Sequence, residues 1–327
     1  MFRECPCRSA EHAGRRPKPC FFRRQERIHI CFDSGMSDYR RPKARQVPVV
    51  ALAVLLVVAT LGAETRIELR KNRFSPAEDV RLGREAAAEV RQQLPMLGDR
   101  ATEAVVEQIG RRLITAVPAR LQQRAFRYSF DVVNLREINA FALPGGPMFL
   151  HRGMLQAART DDEVAGVMAH ELSHVILRHG TLQAAKAQKF QVGAIAGQVL
   201  GAIVGGTKGQ IIAQGSQVGL GTYFMKYGRE YEREADLLGA QLMARAGYDP
   251  RHMANMFRTI EAQGGGGGPE WLSSHPNPGN RYNSINREAA SLRVAGQAGT
   301  GPAFATVRSR LEQMPAAPSM RQARQGD

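Results

Sequence analysis

His170-Glu171-Leu172-Ser173-His174 sets two imidazoles four residues apart with a carboxylate directly after the first. On a helix that spacing brings both rings to one face, where they can reach a single metal ion. Glu171 can then lie beside a water at that metal as its general base. The flanks predict the helix. Thr160-Asp161-Asp162-Glu163 has the form of a capping box with two further acids in the first turn. Val164, Val167, Met168, Leu172, Val175 and Ile176 recur at helical spacing, and Gly180 is a candidate stop. The competing structural reading is a core helix carrying two hydrogen-bonded histidines.

A third ligand separates the two. The long metzincin motif needs Gly at 177 and His at 180, but those positions hold Leu177 and Gly180. His179 misses the register by one and is placed at the helix C-terminus, where a partly cationic ring is favourable. The other solution is a carboxylate from a second helix. Gly228-Arg229-Glu230-Tyr231-Glu232-Arg233-Glu234-Ala235-Asp236 opens a helix-like stretch reaching Gly247. Glu232 and Asp236 share a face one turn apart, so one can bind metal while the other accepts the free N–H of a ligand histidine. Glu230 and Glu234 are rivals for the ligand role.

His170-Glu171-x-x-His174 followed by Glu232-x-x-Ala235-Asp236 resembles the M48 family of gluzincin metallopeptidases. Asn139-Ala140-Phe141-Ala142-Leu143-Pro144-Gly145-Gly146 is similar to that family's stretch before the metal helix. Ser274-His275-Pro276, with Arg281, resembles its C-terminal signature. The resemblance runs over roughly residues 76 to 290. It implies an α+β, mainly α, zincin-like fold with a small sheet beside the metal helix. It also implies one Zn²⁺ held by His170, His174 and Glu232, with Asp236 orienting a ligand histidine. Glu171 is then the catalytic base. By the same resemblance His275 faces the cleft, either bonding the tetrahedral intermediate or occupying the metal's fourth position and leaving the enzyme latent. Arg281 either stabilises the oxyanion or pairs with an active-site carboxylate. Asn139, Ala140 and Phe141 are placed on or near the strand edge that pairs with extended substrate; the rival reading for Phe141 is an ordinary core hairpin.

Residues around that segment carry their own signals. Phe126 to Val133 alternates apolar and polar side chains and predicts a strand. Ala140–Leu143 and Met148–Leu150 predict a hairpin about Pro144-Gly145-Gly146-Pro147. Ser75-Pro76-Ala77-Glu78 starts one helix, and about Asp99 to Val117 forms a second.

The formal charge is +15, of which residues 1–63, with 12 basic and 5 acidic side chains, contribute +7. No long basic run or aromatic interleaving marks the remainder, so nucleic acid is not a predicted partner; peripheral association with membrane or envelope components fits the charge. Arg40, Arg41, Lys43 and Arg45 precede a nearly uncharged stretch from Val47 to Ala63 that ends in small residues. Residues 36–63 thus predict a signal peptide, with an N-terminal anchor as the alternative. Residues 1–35 read as a mis-annotated or disordered leader, with Met36 as the true start. Cys5, Cys7, Cys20 and Cys31 all fall in that leader, so the expected mature chain has no thiolate ligand and no disulfide.

Residues 64–292 are expected to form the peptidase domain. Its Gly-rich insertion, 190–224, reads as a lid or close-packed hairpin in preference to a membrane-dipping segment. The tail, 293–327, is rich in Gly, Ala, Pro, Gln and Arg and is expected to be disordered. Together these readings predict a periplasmic zinc-dependent endopeptidase acting on unfolded or misassembled envelope proteins. The alternative is a latent metallopeptidase-fold chaperone or adaptor that binds such proteins with little proteolysis.

Overall fold

The computed structural model describes residues 64–188, 227–263, 270–296 and 301–325. The leader, the signal-like segment and the Gly-rich insertion lie outside the described residues.

Helix α1, Pro76–Gln93, begins at Ser75, whose side chain accepts from the Glu78 amide while Glu78 reaches back to the Ser75 amide. Helix α2, Arg100–Thr115, is capped by Asp99. Three strands follow: β1 Ser129–Val133, β2 Ala140–Ala142 and β3 Pro147–His151. Their order is β1-β3-β2, with β1 parallel and β2 antiparallel to β3. The hairpin turns where Pro and Gly predicted it, at positive φ in Gly145 and Gly146. Helix α3, Arg152–Ala157, leads into α4, Asp161–Ile176, which carries the quoted motif. Every residue of α4 is buried, so it is the central element of the core.

Two helices close on α4 where glycine removes a side chain. A Cβ on Gly166 would lie 2.7 Å from Met253 Cα in α7, Arg251–Gln263. One on Gly239 would lie 3.2 Å from the His170 amide, so α6, Arg229–Ala246, comes down directly onto the motif. Gly247, in the left-handed conformation at φ 88°, ends α6 as predicted.

Three expectations need correction. Thr160 does cap α4 at the Glu163 amide, but Glu163 returns to the Arg159 amide, 2.7 Å away, and completes no box at Thr160. Gly180 does not end the element. The chain breaks at Arg178, φ 62°, and a new helix α5, His179–Gln188, starts immediately. A non-glycine residue holds that backbone because its side chain is clamped, Nε to Asp79 at 2.6 Å and Nη2 to the Phe74 carbonyl at 2.5 Å. The tail is ordered over its described residues 301–325. After short helices α8, Glu270–Ser274, and α9, Arg281–Ser291, the chain forms α10, Pro302–Gln313, and α11, Met320–Gln325. Phe304, Val307 and Leu311 make an apolar stripe buried in the main core, and buried Arg152 donates to the carbonyls of Leu311 and Pro315. Burial of three large side chains outweighs the polar composition around them.

Before α1, residues 64–74 run without regular secondary structure as a strap across the helices. Ile67 is buried in the core, the Thr65 amide donates to Glu288 at 2.9 Å, and Gln241 donates to the Thr65 carbonyl at 2.7 Å.

Candidate active site

Four side chains from two helices and one loop meet in a buried cage: His170 and His174 of α4, Glu232 of α6, and His275 after α8. His170 Nε2 lies 3.1 Å from His174 Nε2 and 3.5 Å from Glu232 Oε2. His174 Nε2 lies 3.4 Å from Glu232 Oε1. His275 Nδ1 is 3.3 Å from His170 Nε2 and 3.2 Å from Glu232 Oε1. Ligand bonds of about 2.0–2.1 Å in tetrahedral geometry place ligand atoms about 3.3–3.4 Å apart. The observed edges scatter about that value. Three imidazole nitrogens crowded together cannot all satisfy one another with the protons they own, whereas one cation satisfies all of them. The donor set therefore fits zinc.

The electrostatics agree. Burial opposes charge on His170, yet bonds to Asp236 and Glu232 outweigh it and raise the ring to about 9. Burial likewise works against the Glu232 carboxylate, but the charge of His275 and the bonds from His170 and His174 hold it well below the usual carboxylate range. His174 is pushed well below its ordinary value by burial, against the pull of Glu232. The cage as built favours a positive charge at its centre.

Around the cage, predicted partners take defined places. Asp236 Oδ1 sits 3.0 Å from His170 Nδ1, on the ring nitrogen that faces away from the cage. Arg281, almost fully buried, joins both acids, with Nε 2.9 Å from Asp236 Oδ2 and Nη2 on Glu232 Oε2. Of the two roles expected for Arg281, the geometry therefore displays the carboxylate pair. Glu171 Oε1 lies 3.4 Å from His275 Nε2, so the His275 ring spans from the cage to the candidate base. Ala140 and Phe141 lie in β2, one of the two edge strands, and Asn139 directly precedes it. Ala140 packs in the main core, Phe141 stacks on Phe149 at 5.2 Å, and Asn139 is buried. A narrow cleft lined by Ala142, Leu143, His174, Arg178 and Tyr227 runs from the end of β2 to the cage.

Several contributors escaped the sequence reading. Trp271 donates its indole N–H to Glu171 Oε1 at 3.0 Å and stacks on His275 with ring centroids 4.7 Å apart. The clue was available: it is the sole tryptophan, one helical turn before His275. Tyr227 stacks on His174 at 4.1 Å. His179, expected at the C-terminus of the metal helix, instead opens α5 and points Nδ1 at His174 Nδ1, 3.0 Å away. Glu234, a rival for the ligand role, is 3.2 Å from His179 Nε2.

An HExxH helix, a glutamate ligand from a second helix and an acid behind the first histidine together define a metallopeptidase centre of the gluzincin kind. The profile of Peptidase family M48 matches residues 100–289, and the chain belongs to that family of zinc metalloendopeptidases. It is 28% identical to the beta-barrel assembly-enhancing protease of Escherichia coli over 226 residues, 67% of this chain and 45% of that one. To the putative beta-barrel assembly-enhancing protease of Vibrio cholerae it is 31% identical over 205 residues, 61% and 42% of the two chains. To the mitochondrial metalloendopeptidase OMA1 of Homo sapiens it is 32% identical over 163 residues, 48% and 31% of the two chains. The chain thus spans less than half the length of these relatives. Among the described residues, no helix is long and apolar enough to cross a membrane.

Proposed function

We propose that this chain is a zinc-dependent endopeptidase that cleaves unfolded or misassembled envelope proteins in the periplasm, and that it rests in a latent state. The observation that carries the reading is the cage itself: His170, His174 and Glu232 at ligand spacing, with Glu171 beside them and His275 at the fourth corner. His170, His174 and Glu232 would hold the zinc. When bound, the metal supplies Lewis acidity that polarises a peptide carbonyl and makes water a stronger acid.

The remaining steps belong to side chains. Glu171 takes a proton from the attacking water and returns it to the leaving amine, its carboxylate oriented by the Trp271 indole. Asp236, with Oδ1 3.0 Å from His170 Nδ1, orients that ring and favours the tautomer with its proton on Nδ1. Arg281 neutralises the pair of buried acids and holds Glu232 in place. Substrate lies extended along the edge strand β2, on or near Asn139, Ala140 and Phe141, with the pairing groups drawn from backbone that β3 does not already occupy, as it does the Asn139 carbonyl. The leader-like stretch 36–63 supports export, and the beta-barrel assembly-enhancing relatives support envelope proteins as the substrate class.

His275 supports latency because its ring fills the space between cage and base, where water and the scissile carbonyl must sit. That same observation favours the alternative of a chaperone or adaptor that binds envelope proteins with little proteolysis.

Three proteins decide between them in a casein cleavage assay with zinc content measured in parallel. Glu171→Gln is expected to keep its zinc and lose cleavage by a factor of about 10² or more. His275→Ala is expected to keep zinc and cleave faster than wild type. Full cleavage by Glu171→Gln would refute the catalytic reading. Slower cleavage by zinc-loaded His275→Ala would move His275 from a latch to a stabiliser of the transition state. Full cellular function of Glu171→Gln would favour the chaperone reading.

A further inference from the structure

Hydrolysis as derived above leaves His179, Glu234 and Arg70 without a task, yet they form a chain that ends on a cage residue. For His174 to present the Nε2 lone pair to the cage, its proton must sit on Nδ1. That nitrogen lies 3.0 Å from His179 Nδ1, which must therefore be the acceptor. His179 then carries its own proton on Nε2, and Glu234 Oε2 waits 3.2 Å away to accept it. The second oxygen of Glu234 accepts from Arg70 Nη2 at 2.5 Å, and the same guanidinium donates to Glu230 at 2.6 Å. Each link fixes the direction of the next, so the four groups admit one proton arrangement.

The relay is also held mechanically. His179 is fully buried and stacks flat on Tyr231, with centroids 4.4 Å apart and planes 17° apart. The Lys186 ammonium sits 4.4 Å and the Arg70 guanidinium 5.3 Å from that tyrosine ring, fixing it in turn. The neighbouring ligand needs no intermediary: Asp236 reaches His170 Nδ1 directly. The Arg178 backbone break places His179 where it can do for His174 what Asp236 does for His170.

We propose that His179 is a positioning residue for His174, oriented by Glu234 and clamped by Arg70 of the 64–74 strap. It accepts the His174 Nδ1 proton and thereby sets the tautomer and pose of that ring in the cage. The proposal rests on the reading of His174 as a zinc ligand. It also gives the strap a role in the centre: docking of Arg70 completes the support of a ligand more than a hundred residues along the chain.

The test is zinc affinity by competition with a chromogenic chelator, together with the visible absorption of the cobalt(II)-substituted protein. His179→Phe keeps the stack on Tyr231 and removes the acceptor. It is expected to bind zinc about 10- to 100-fold more weakly and to shift the cobalt bands. His179→Asn restores an acceptor near the Nδ1 position and is expected to recover part of the affinity. Arg70→Met, at the half-exposed end of the relay, is expected to weaken zinc by several-fold and serves as the probe if the His179 variants fail to fold. Wild-type affinity and cobalt spectrum in His179→Phe would overturn the relay, as would His179→Asn no better than His179→Phe. A His174→Ala control separates the two layers. If it binds zinc as tightly as wild type, the ligand assignment fails and the relay falls with it. If it loses zinc while His179→Phe does not, only the relay fails.

Discussion

Replacing Arg281 by Met tests the cage at its most buried charge. The Arg281 side chain is 1% exposed, and the two carboxylates it joins, Glu232 and Asp236, are 0% and 2% exposed. Methionine fills much of the volume and donates nothing, so the two acids lose their shared guanidinium and keep only the His170 ring between them. Removing one partner of a buried ion pair costs about 3–5 kcal/mol. At about 2–4 °C per kcal/mol for a domain of this size, the metal-free protein is expected to melt about 6–20 °C lower than wild type. Zinc restores a positive charge next to Glu232, so the zinc-loaded variant is expected to lose only about half as much. The assay is thermal unfolding by circular dichroism with excess chelator and with excess zinc. Equal losses in the two forms, or a loss below about 3 °C without metal, would refute the account of Arg281 as the neutralising partner of both acids. Arg281→Lys is expected to recover only part of the loss, because an ammonium cannot address two carboxylates in the plane that a guanidinium spans.

Trp271→Phe keeps the stack on His275 and removes the indole N–H from Glu171. A hydrogen bond to a charged group contributes about 1.5–3 kcal/mol, so kcat is expected to fall about ten- to hundredfold with zinc content unchanged; an unaltered kcat would dismiss Trp271 as a positioner of the base. His151 is fully buried, and burial pushes its ring down to about 4. The unfolded chain takes up that proton near pH 6.5, so the folded state has its full stability above 6.5 and loses it as pH falls toward 4. The loss amounts to about 3 kcal/mol. Urea melts of His151→Leu are expected to show a shallower decline between pH 6.5 and 4.5 than wild type; parallel declines would place the acid sensitivity elsewhere.

Features set by local chemistry were readable from the chain. The Ser75 and Asp99 caps, the Pro-Gly-Gly-Pro turn and the Gly247 stop each act within a few residues, and each stands where it was expected. The ligand helix was legible for the same reason, since His170 and His174 share one face by helical spacing alone. What could not be read depends on partners far along the chain. Arg178 holds positive φ with its side chain clamped by Asp79 and Phe74, so neither the break nor the place of His179 is marked by a glycine in the sequence. The 302–313 helix has weak local signals and is held by burial against α2 and α3, which composition does not encode. Arg70 reaches Glu234 from 164 residues away, beyond the range of any motif.

The cage gathers side chains from positions 170, 174, 232 and 275, in a stretch without a cysteine. A cation bound there closes two loops of roughly 40–60 residues each, and so acts on the unfolded chain as a cross-link would. The His170–His174 pair can form on a lone helix, but Glu232 and His275 join it only after distant elements dock. Full-strength metal uptake is therefore a late event in folding, and metal loss loosens several elements together. Such a protein would carry its staple in exchangeable form, and its resistance to unfolding is expected to rise with the free zinc around it.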